Sequence, residues 1–531
     1  MSTSDMAPQE DESEITTALL KLSLGAPASD GTDPTSSSLL CAEDAPDETS
    51  LPQQSTRLDA CEPLPTPKPA QASFEWRAMP AELRLIVLEE IAQMGEAHPP
   101  PEAGSLPTVC AEWRSFFEKR NFRALRVTRP KDVVALDRYV SGRREGLVEL
   151  VTLFVPLGLY DCWRCDRAEN QDEKKANNRR LSSLLLPLLD VLSTWSSPRR
   201  DGGVALKVAA ASMSDAEHQY GDFADVVGDP EVRRKHHVRY SHFAGFSKGS
   251  AKRTVGSLLD FDIDSLQRIV DGCAPFPEAR VVTQFCLDSR YYRSLSANGL
   301  GILLRCLPNL TVIQYGYRRA IGRGDEQSRD AANLALLQNF PYTAETLTLV
   351  EHHDTAMPVY SPKAGSESIA AAAVEASRLL SCFHGYNAFD AVHFFKDFYP
   401  DTLGLDPPEP WERLRELSLT SRIAMRYDGD SLLANRLLVA AANAALHMPR
   451  LEYMRLWMLW KIYGAFVFCY TVSQDATAIE AGAAWPFDLS EAARDAWGRV
   501  AYTNTHHSLS ETSLDSAELE EMGGQRFLID Y

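Results

Sequence analysis

Residues 432–458 read LLANRLLVAAANAALHMPRLEYMRLWM, and the order of the parts within them decides the fold. An apolar helical run ends in a turn containing Pro449, and the turn leads directly into a short strand spaced Leu451, Met454, Leu456. The succession recurs where RRLSSLLLPLLDVLSTW (179–195) precedes GGVALKVAA (202–210), and where NGLGILLRCLPNL (298–310) precedes TVIQYGY (311–317). Helix, turn and a strand opening LxxLxL is how leucine-rich repeats stack a parallel sheet inside an arc of helices.

The strand signature is an apolar residue, two others, an apolar residue, one other, and a third apolar residue. It occurs at Phe122/Leu125/Val127, Val148/Val151/Leu153, Leu310/Ile313/Tyr315, Ala344/Leu347/Leu349, Phe389/Val392/Phe394, Leu414/Leu417/Leu419 and Leu451/Met454/Leu456. Leu206 and Val208 fit its second half, and Val281 to Phe285 reads as a further strand. Intervals of roughly 25 to 75 residues, against about 20–29 in regular repeats, predict an irregular horseshoe carrying insertions. The expected fold class is therefore α/β, with a parallel sheet and outer helices. Strand side chains alternate between faces, so Gln314, Thr348, His393, Ser418 and Arg455 are predicted on the concave face as candidate partner-binding residues.

Composition narrows the function classes. The chain has 531 residues, 44% of them hydrophobic, with a formal net charge of -19. That charge opposes a general nucleic-acid surface, which needs clustered Lys and Arg to release counterions, and favours protein partners. Neither an apolar span of about 20 residues nor a signal peptide is present in the sequence, so no membrane partner is expected and the cytoplasm or nucleus is the expected location. The 10 scattered cysteines fit reduced thiols. Cys162 and Cys165 form a CxxC without a second half, short of the four ligands a structural zinc needs.

Residues 1–72 are rich in Ser, Thr, Pro, Asp and Glu and read as a disordered acidic tail. Within it Ile15, Leu19 and Leu22 stand at helical spacing, and Pro63, Pro65, Pro67 and Pro69 make a stiff spacer. Order is expected from Phe74. In FEWRAMPAELRLIVLEEIAQM (74–94), Pro80 and Glu82 suit a first helical turn, and the helix should run to about Met94. A second helix is expected over roughly Ser105 to Lys119, carrying Val109, Trp113, Phe116 and Phe117. So small a pair has too little core of its own and needs a covering surface.

Met79-Pro80-Ala81-Glu82-Leu83, then Ile86, Leu88 and Ile91, then Leu106, Val109, Cys110, Glu112 and Trp113 resemble the F-box pattern. With the continuation FFEKRNFRALRVT (116–128), the chain resembles fungal F-box-like proteins that carry a large uncharacterised C-terminal region. The resemblance covers about 40 residues, and GEAHPPPEAGS (95–105) departs from the usual Leu-rich opening of the second helix. It implies docking on a Skp-type adaptor, and through it on a cullin scaffold of a ubiquitin ligase. Met79, Pro80, Leu83, Ile86, Val87, Val109 and Trp113 are then the adaptor-binding residues. The F-box-like module spans 73–122 and the repeat region 123–502, followed by an acidic, mobile tail over 503–531. The implied function is that of a substrate receptor, with a protein-binding scaffold bearing a vestigial F-box as the alternative.

Other constellations are weaker. Asp260, Asp262 and Asp264 imitate the start of a calcium loop, but Ser265 stands where Gly is needed and Asp271 where a bidentate Glu belongs. Helix capping by Asp264 or Ser265 explains them more simply. The basic island RRKHHVRYSHF (233–243) and His352-His353-Asp354 read as loops. YGAFVFCY (463–470) is expected to be the final strand, closed by a helix over 490–500. With no P-loop, GxGxxG, GxSxG or HExxH, neither catalysis nor a cofactor is expected.

Overall fold

Each strand signature places apolar side chains two residues apart on one face and polar ones between them on the other, which is the pattern of a sheet covered on one side. The computed structural model describes residues 75–97, 103–164, 167–195, 202–218, 253, 257–270, 276–287, 293–318, 323–352, 366–401, 409–425, 431–460, 464–515 and 518–519. Outside the described residues lie the acidic N-terminal segment with Ile15, Leu19 and Leu22, the proline run 63–69, Cys165, the island 233–243, Asp271, His353 and Asp354.

Among the described residues the strands form one twelve-stranded sheet in simple chain order. Nine pair in parallel: β1 (Ala124–Val127), β2 (Leu150–Pro156), β3 (Val204–Ala211), β4 (Val282–Leu287), β5 (Val312–Arg318), β6 (Thr346–His352), β7 (Cys382–Tyr386), β8 (Glu416–Thr420) and β9 (Tyr453–Trp460). β10 (Gly464–Val472) turns back antiparallel on β9, β11 (Thr477–Ala483) is antiparallel to β10, and β12 (Leu509–Ser513) runs parallel to β11.

The described helices are α1 (Ala81–Ala97), α2 (Ala111–Arg123), α3 (Pro130–Tyr139), α4 (Gln171–Thr194), α5 (Met213–His218), α6 (Ile263–Val270), α7 (Ala297–Cys306), α8 (Arg323–Asn339), α9 (Ser366–Leu379), α10 (Ala391–Phe394), α11 (Ser431–Ala445) and α12 (Glu491–Thr505). Two compact units emerge, one ending at Ala103 and containing α1, the other holding the residues from Gly104 onward.

In the larger unit one continuous core joins the helices to a single face of the sheet. Leu181, Leu185 and Leu188 of α4 are buried with Val151 and Leu153 of β2, and Leu437 and Leu438 of α11 with Met454 and Leu456 of β9. Each such leucine contributes about 1.5–3 kcal/mol by leaving water. Asn170 and Glu173 form a reciprocal capping box on α4, Ser296 accepts from Gly299 N–H at α7, and Ser490 accepts from Ala493 N–H at α12.

Several expectations are corrected. The signature Phe389/Val392/Phe394 is not a strand. The strand is β7, where Leu380 and Phe383 supply the first two apolar positions and Gly385 occupies the third. A Cβ on Gly385 would sit 2.6 Å from Cζ of Phe389, so the Phe389 ring fills the slot that a third apolar side chain fills elsewhere. Asn387, in the left-handed region at φ 57°, ends β7 and turns the chain inward, and Phe389 and Phe394 then join the core from the turn and α10. Consequently His393 lies on α10, with Nδ1 3.9 Å from Glu367, and takes no place in the sheet.

The second helix begins at Ala111 rather than near Ser105, because the segment Ala103–Thr108 forms a separate 3₁₀ turn around Pro107. Glu112 then lies in the first turn, where it complements the helix dipole. Val109 therefore precedes α2. Nor is the strand at 464–472 the last one. β11 and β12 follow it, and α12 runs to Thr505 inside the stretch read as a mobile tail. β12 escapes detection because its LSETS side chains are mostly exposed, and only its backbone pairing with β11 defines it.

The cap of α6 is Asp262, not Asp264 or Ser265 as expected: its carboxylate accepts from Ser265 N–H at 3.2 Å and from the Ser265 hydroxyl at 3.0 Å. Asp260 accepts from Asn298, while Asp264 turns outward toward Lys175 and Arg179. Their carboxylates serve three different partners, and no group of three metal-ligating side chains stands together among the described residues. No helix among them is long and apolar enough to cross a membrane.

Candidate functional site: the open face of the sheet

Parallel pairing brings the middle residue of every strand into one row on the face opposite the core. The register runs Arg126, Thr152, Lys207, Cys286, Gln314, Thr348, His384, Ser418 and Arg455 from β1 to β9. It continues through Cys469 and Glu480 to Thr512 on β12. Four of the five expected partner-binding residues, Gln314, Thr348, Ser418 and Arg455, stand in this row. The fifth position belongs to His384 instead of His393. Applying the strand signature with glycine in its third slot, as Leu380/Phe383/Gly385, finds His384 from the sequence.

Side chains are most densely connected over β6 to β9. Thr348 Oγ1 lies 3.3 Å from Nδ1 of His384, and Nε2 of the same ring lies 3.1 Å from Glu416. A carboxylate accepts only, so Nε2 faces an acceptor while Nδ1 faces a hydroxyl able to take either role. The hydrogen bond from His384 holds the Glu416 carboxyl below its ordinary value of 4.5, against the opposing effect of burial. Burial, reinforced by the Glu416 charge, raises the Cys382 thiol.

Beside this relay, Arg455 donates from Nε to Ser418 at 3.1 Å and from Nη2 to the Tyr386 hydroxyl at 3.2 Å. Its guanidinium lies 5.3 Å from the centre of the Trp457 ring, and Tyr386 meets Trp457 edge-on at 5.4 Å while stacking on His384 at 5.7 Å. Fixed in this way, the Arg455 fork is positioned for planar, bidentate acceptors such as carboxylates. At the β10 end the face is closed by Leu519, which is buried against Val467 and Cys469, with Trp457 and Leu514 packed alongside.

Hydroxyl, imidazole and carboxylate stand in series across β6, β7 and β8. Thr348 is only 6% exposed and lies mid-strand, where the backbone N–H groups of β6 and β7 are engaged in the parallel ladder. A titration follows from the same contacts. Because Glu416 is held below 4.5, the stability it contributes is present above that pH and is lost as the pH falls through its folded value. Glu416→Gln is therefore expected to be less stable than wild type at pH 7 and to converge with it as the pH falls through the lowered folded value of Glu416. Urea midpoints across that range measure this, and a gap independent of pH rejects it.

The remaining candidates separate. In the smaller unit Leu83 is 50% and Ile86 52% exposed, Pro80 is exposed, and Met79 and Val87 are partly buried. In the larger unit Val109 is 59% exposed and Trp113, partly buried, packs 5.8 Å from Phe117. A cavity of about 290 Å³ opens at the start of α4, lined by Arg164, Arg180, Arg253, Asp172 and Glu173. Glu173 already pairs with Arg164 at 3.1 Å and with Arg253 at 2.8 Å, so its charges serve one another.

Residues 331–526 match a family model described as a family of unknown function (DUF6546). This region is similar to that family. It starts within α8 and takes in β6 to β12, hence the whole Thr348–His384–Glu416 and Arg455–Trp457 arrangement. No curated protein matches the chain.

Proposed function

We propose that the chain is a non-catalytic F-box-type substrate receptor. Its N-terminal helical segments dock on a Skp-type adaptor of a cullin ubiquitin ligase, and its leucine-rich-repeat-like horseshoe presents a target protein. The observation that carries this reading is the uncovered apolar surface of α1, with Leu83 at 50% and Ile86 at 52% exposure. Apolar side chains repeated at these spacings on a short helix are the kind that a partner subunit covers. The polar, in-register row supports the second half, since a chemically mixed face suits a polypeptide better than a repeated small ligand.

Co-purification with a Skp-type adaptor tests it. Ile86→Asp changes an exposed position, so folding should survive while a charge enters the docking surface. Adaptor capture by wild type and its loss by about tenfold or more in Ile86→Asp, at an unchanged unfolding midpoint, is the expected result. Equal capture by both proteins rejects the docking surface. A protein-binding scaffold with a vestigial F-box is the second reading, and absence of adaptor capture by the folded wild type would favour it.

A further inference from the structure

Beyond β12 the chain turns back over the open face. Leu514 N–H donates to the Ala481 carbonyl of β11 at 2.9 Å, and Leu519 is then buried against Val467 and Cys469 of β10, with Trp457 of β9 packed alongside. Val467 is fully buried although it stands on the side of the sheet away from the main core. Gly482, its partner on β11, leaves room for the crossing, since a Cβ there would meet the Leu514 carbonyl oxygen at 2.6 Å and the Leu514 Cβ at 2.7 Å.

The crossing is a capped helical turn. Asp515 N–H donates to the Glu518 carboxylate at 2.8 Å, Glu518 N–H donates to Asp515 Oδ1 at 2.9 Å, and Leu519 N–H donates to the Asp515 carbonyl at 3.1 Å. Between Leu514 and Leu519 the chain thus passes from β11 to β10 and reaches Trp457. On that course His384 of β7 lies next, joined to Trp457 through the Tyr386 ring.

Twelve residues of the sequence, EEMGGQRFLIDY (520–531), follow Leu519. The stretch from Gly523 onward would span about 30 Å when extended. Three strand spacings, from β10 to β7, amount to about 14 Å. Phe527, Leu528 and Ile529 supply an apolar group within reach of Trp457, which is partly buried, and of the His384 ring, 19% exposed. We propose that residues 520–531 lie across the open face from β9 to β7, with Phe527 to Ile529 packed over Trp457 and His384, so that the chain occupies its own candidate site. A target that uses this face has to displace the segment. That consequence rests on the receptor reading, whereas the occupancy itself does not.

Hydroxyl-radical footprinting read by mass spectrometry tests the occupancy on three proteins: the full chain, a chain ending at Glu520, and full-length Phe527→Asp/Ile529→Asp. The shortened chain keeps Leu519, so its packing on Val467 and Cys469 stays in place. Oxidation of Trp457 and His384 is expected to rise about threefold or more in both altered proteins, because a tethered segment covers its site at a high effective concentration. The exposed Trp163 and the buried Trp497 should keep their rates. Unchanged oxidation of Trp457 and His384 in either folded protein overturns the proposal. So does an equal rise at Trp497, which reports a loosened core. Protection in the full chain that fades on about tenfold dilution assigns the segment to a second copy and overturns it too, since cover from the same chain does not depend on concentration. If the shortened chain fails to fold, Phe527→Asp/Ile529→Asp decides alone. Adaptor capture takes no part in this test, so the occupancy and the docking reading can fail separately.

Discussion

Trp497→Ala should lower the stability of the C-terminal end of the sheet by about 3–5 kcal/mol, the cost of truncating a large buried aromatic. Trp497 lies on α12 and is fully buried. Its ring centre is 4.9 Å from those of both Phe468 and Tyr470 on β10, and its indole N–H donates to the Leu438 carbonyl on α11 at 3.1 Å. One side chain thereby joins the last helix, the penultimate helix and the antiparallel strand. Its removal leaves a cavity between them and takes from the Leu438 carbonyl the second hydrogen bond it accepts beside its helical one.

Because the strands follow chain order and each pairs only with its neighbours, the damage should be local. Hydrogen exchange is the measurement that resolves it. Amides of β9 to β12 should lose protection in Trp497→Ala while those of β2 and β3 keep theirs. Trp497→Phe, which retains most of the packing and loses only the indole donor, should fall between the two. A uniform loss along the whole sheet, or a change under about 1 kcal/mol, contradicts the role assigned to this residue.

What the sequence reveals and what it hides divide along a physical line. β1, β2, β5, β6, β8 and β9 are legible because each buries its own leucines, isoleucines, valines or tyrosines at the signature spacing. β7 is hidden because its third slot is filled by Phe389 from outside the strand, a tertiary fact that no local pattern contains. β12 is hidden for the opposite reason, since it buries almost nothing and exists through backbone pairing.

The same division governs the candidate site. Gln314, Thr348, Ser418 and Arg455 follow from the period of two, and their lining up in a single row follows from parallel pairing. The His384–Glu416 contact does not, because Glu416 opens β8 in the row beside that of His384, and only the packing of neighbouring strands brings the two side chains to 3.1 Å.

Arg293→Met should cost about 3–5 kcal/mol, the usual consequence of leaving buried carboxylates without their cation. The Arg293 side chain is 1% exposed, its Nη2 lies 2.9 Å from Glu169 and 3.9 Å from Asp215, and those two side chains are 3% and 0% exposed. Neutral donors surround the carboxylates. Asn177 donates to Glu169 at 3.0 Å, and the Tyr160 hydroxyl and Ser212 N–H donate to Asp215 at 2.7 and 2.8 Å. Burial first, and then the Asp215 charge, push the Tyr160 hydroxyl far up its scale, so it stays protonated and continues to donate. These bonds hold the carboxylates in place but supply no positive charge, and in Arg293→Met the cost of two desolvated anions remains. Adding Glu169→Gln to Arg293→Met removes one of the uncompensated charges and should recover part of the loss. Glu169→Gln alone, which leaves Arg293 still facing Asp215, should cost less than Arg293→Met. Urea unfolding of the four proteins closes this cycle. If the double variant proves no more stable than Arg293→Met, the penalty comes from lost packing around the guanidinium stem, and the charge argument fails.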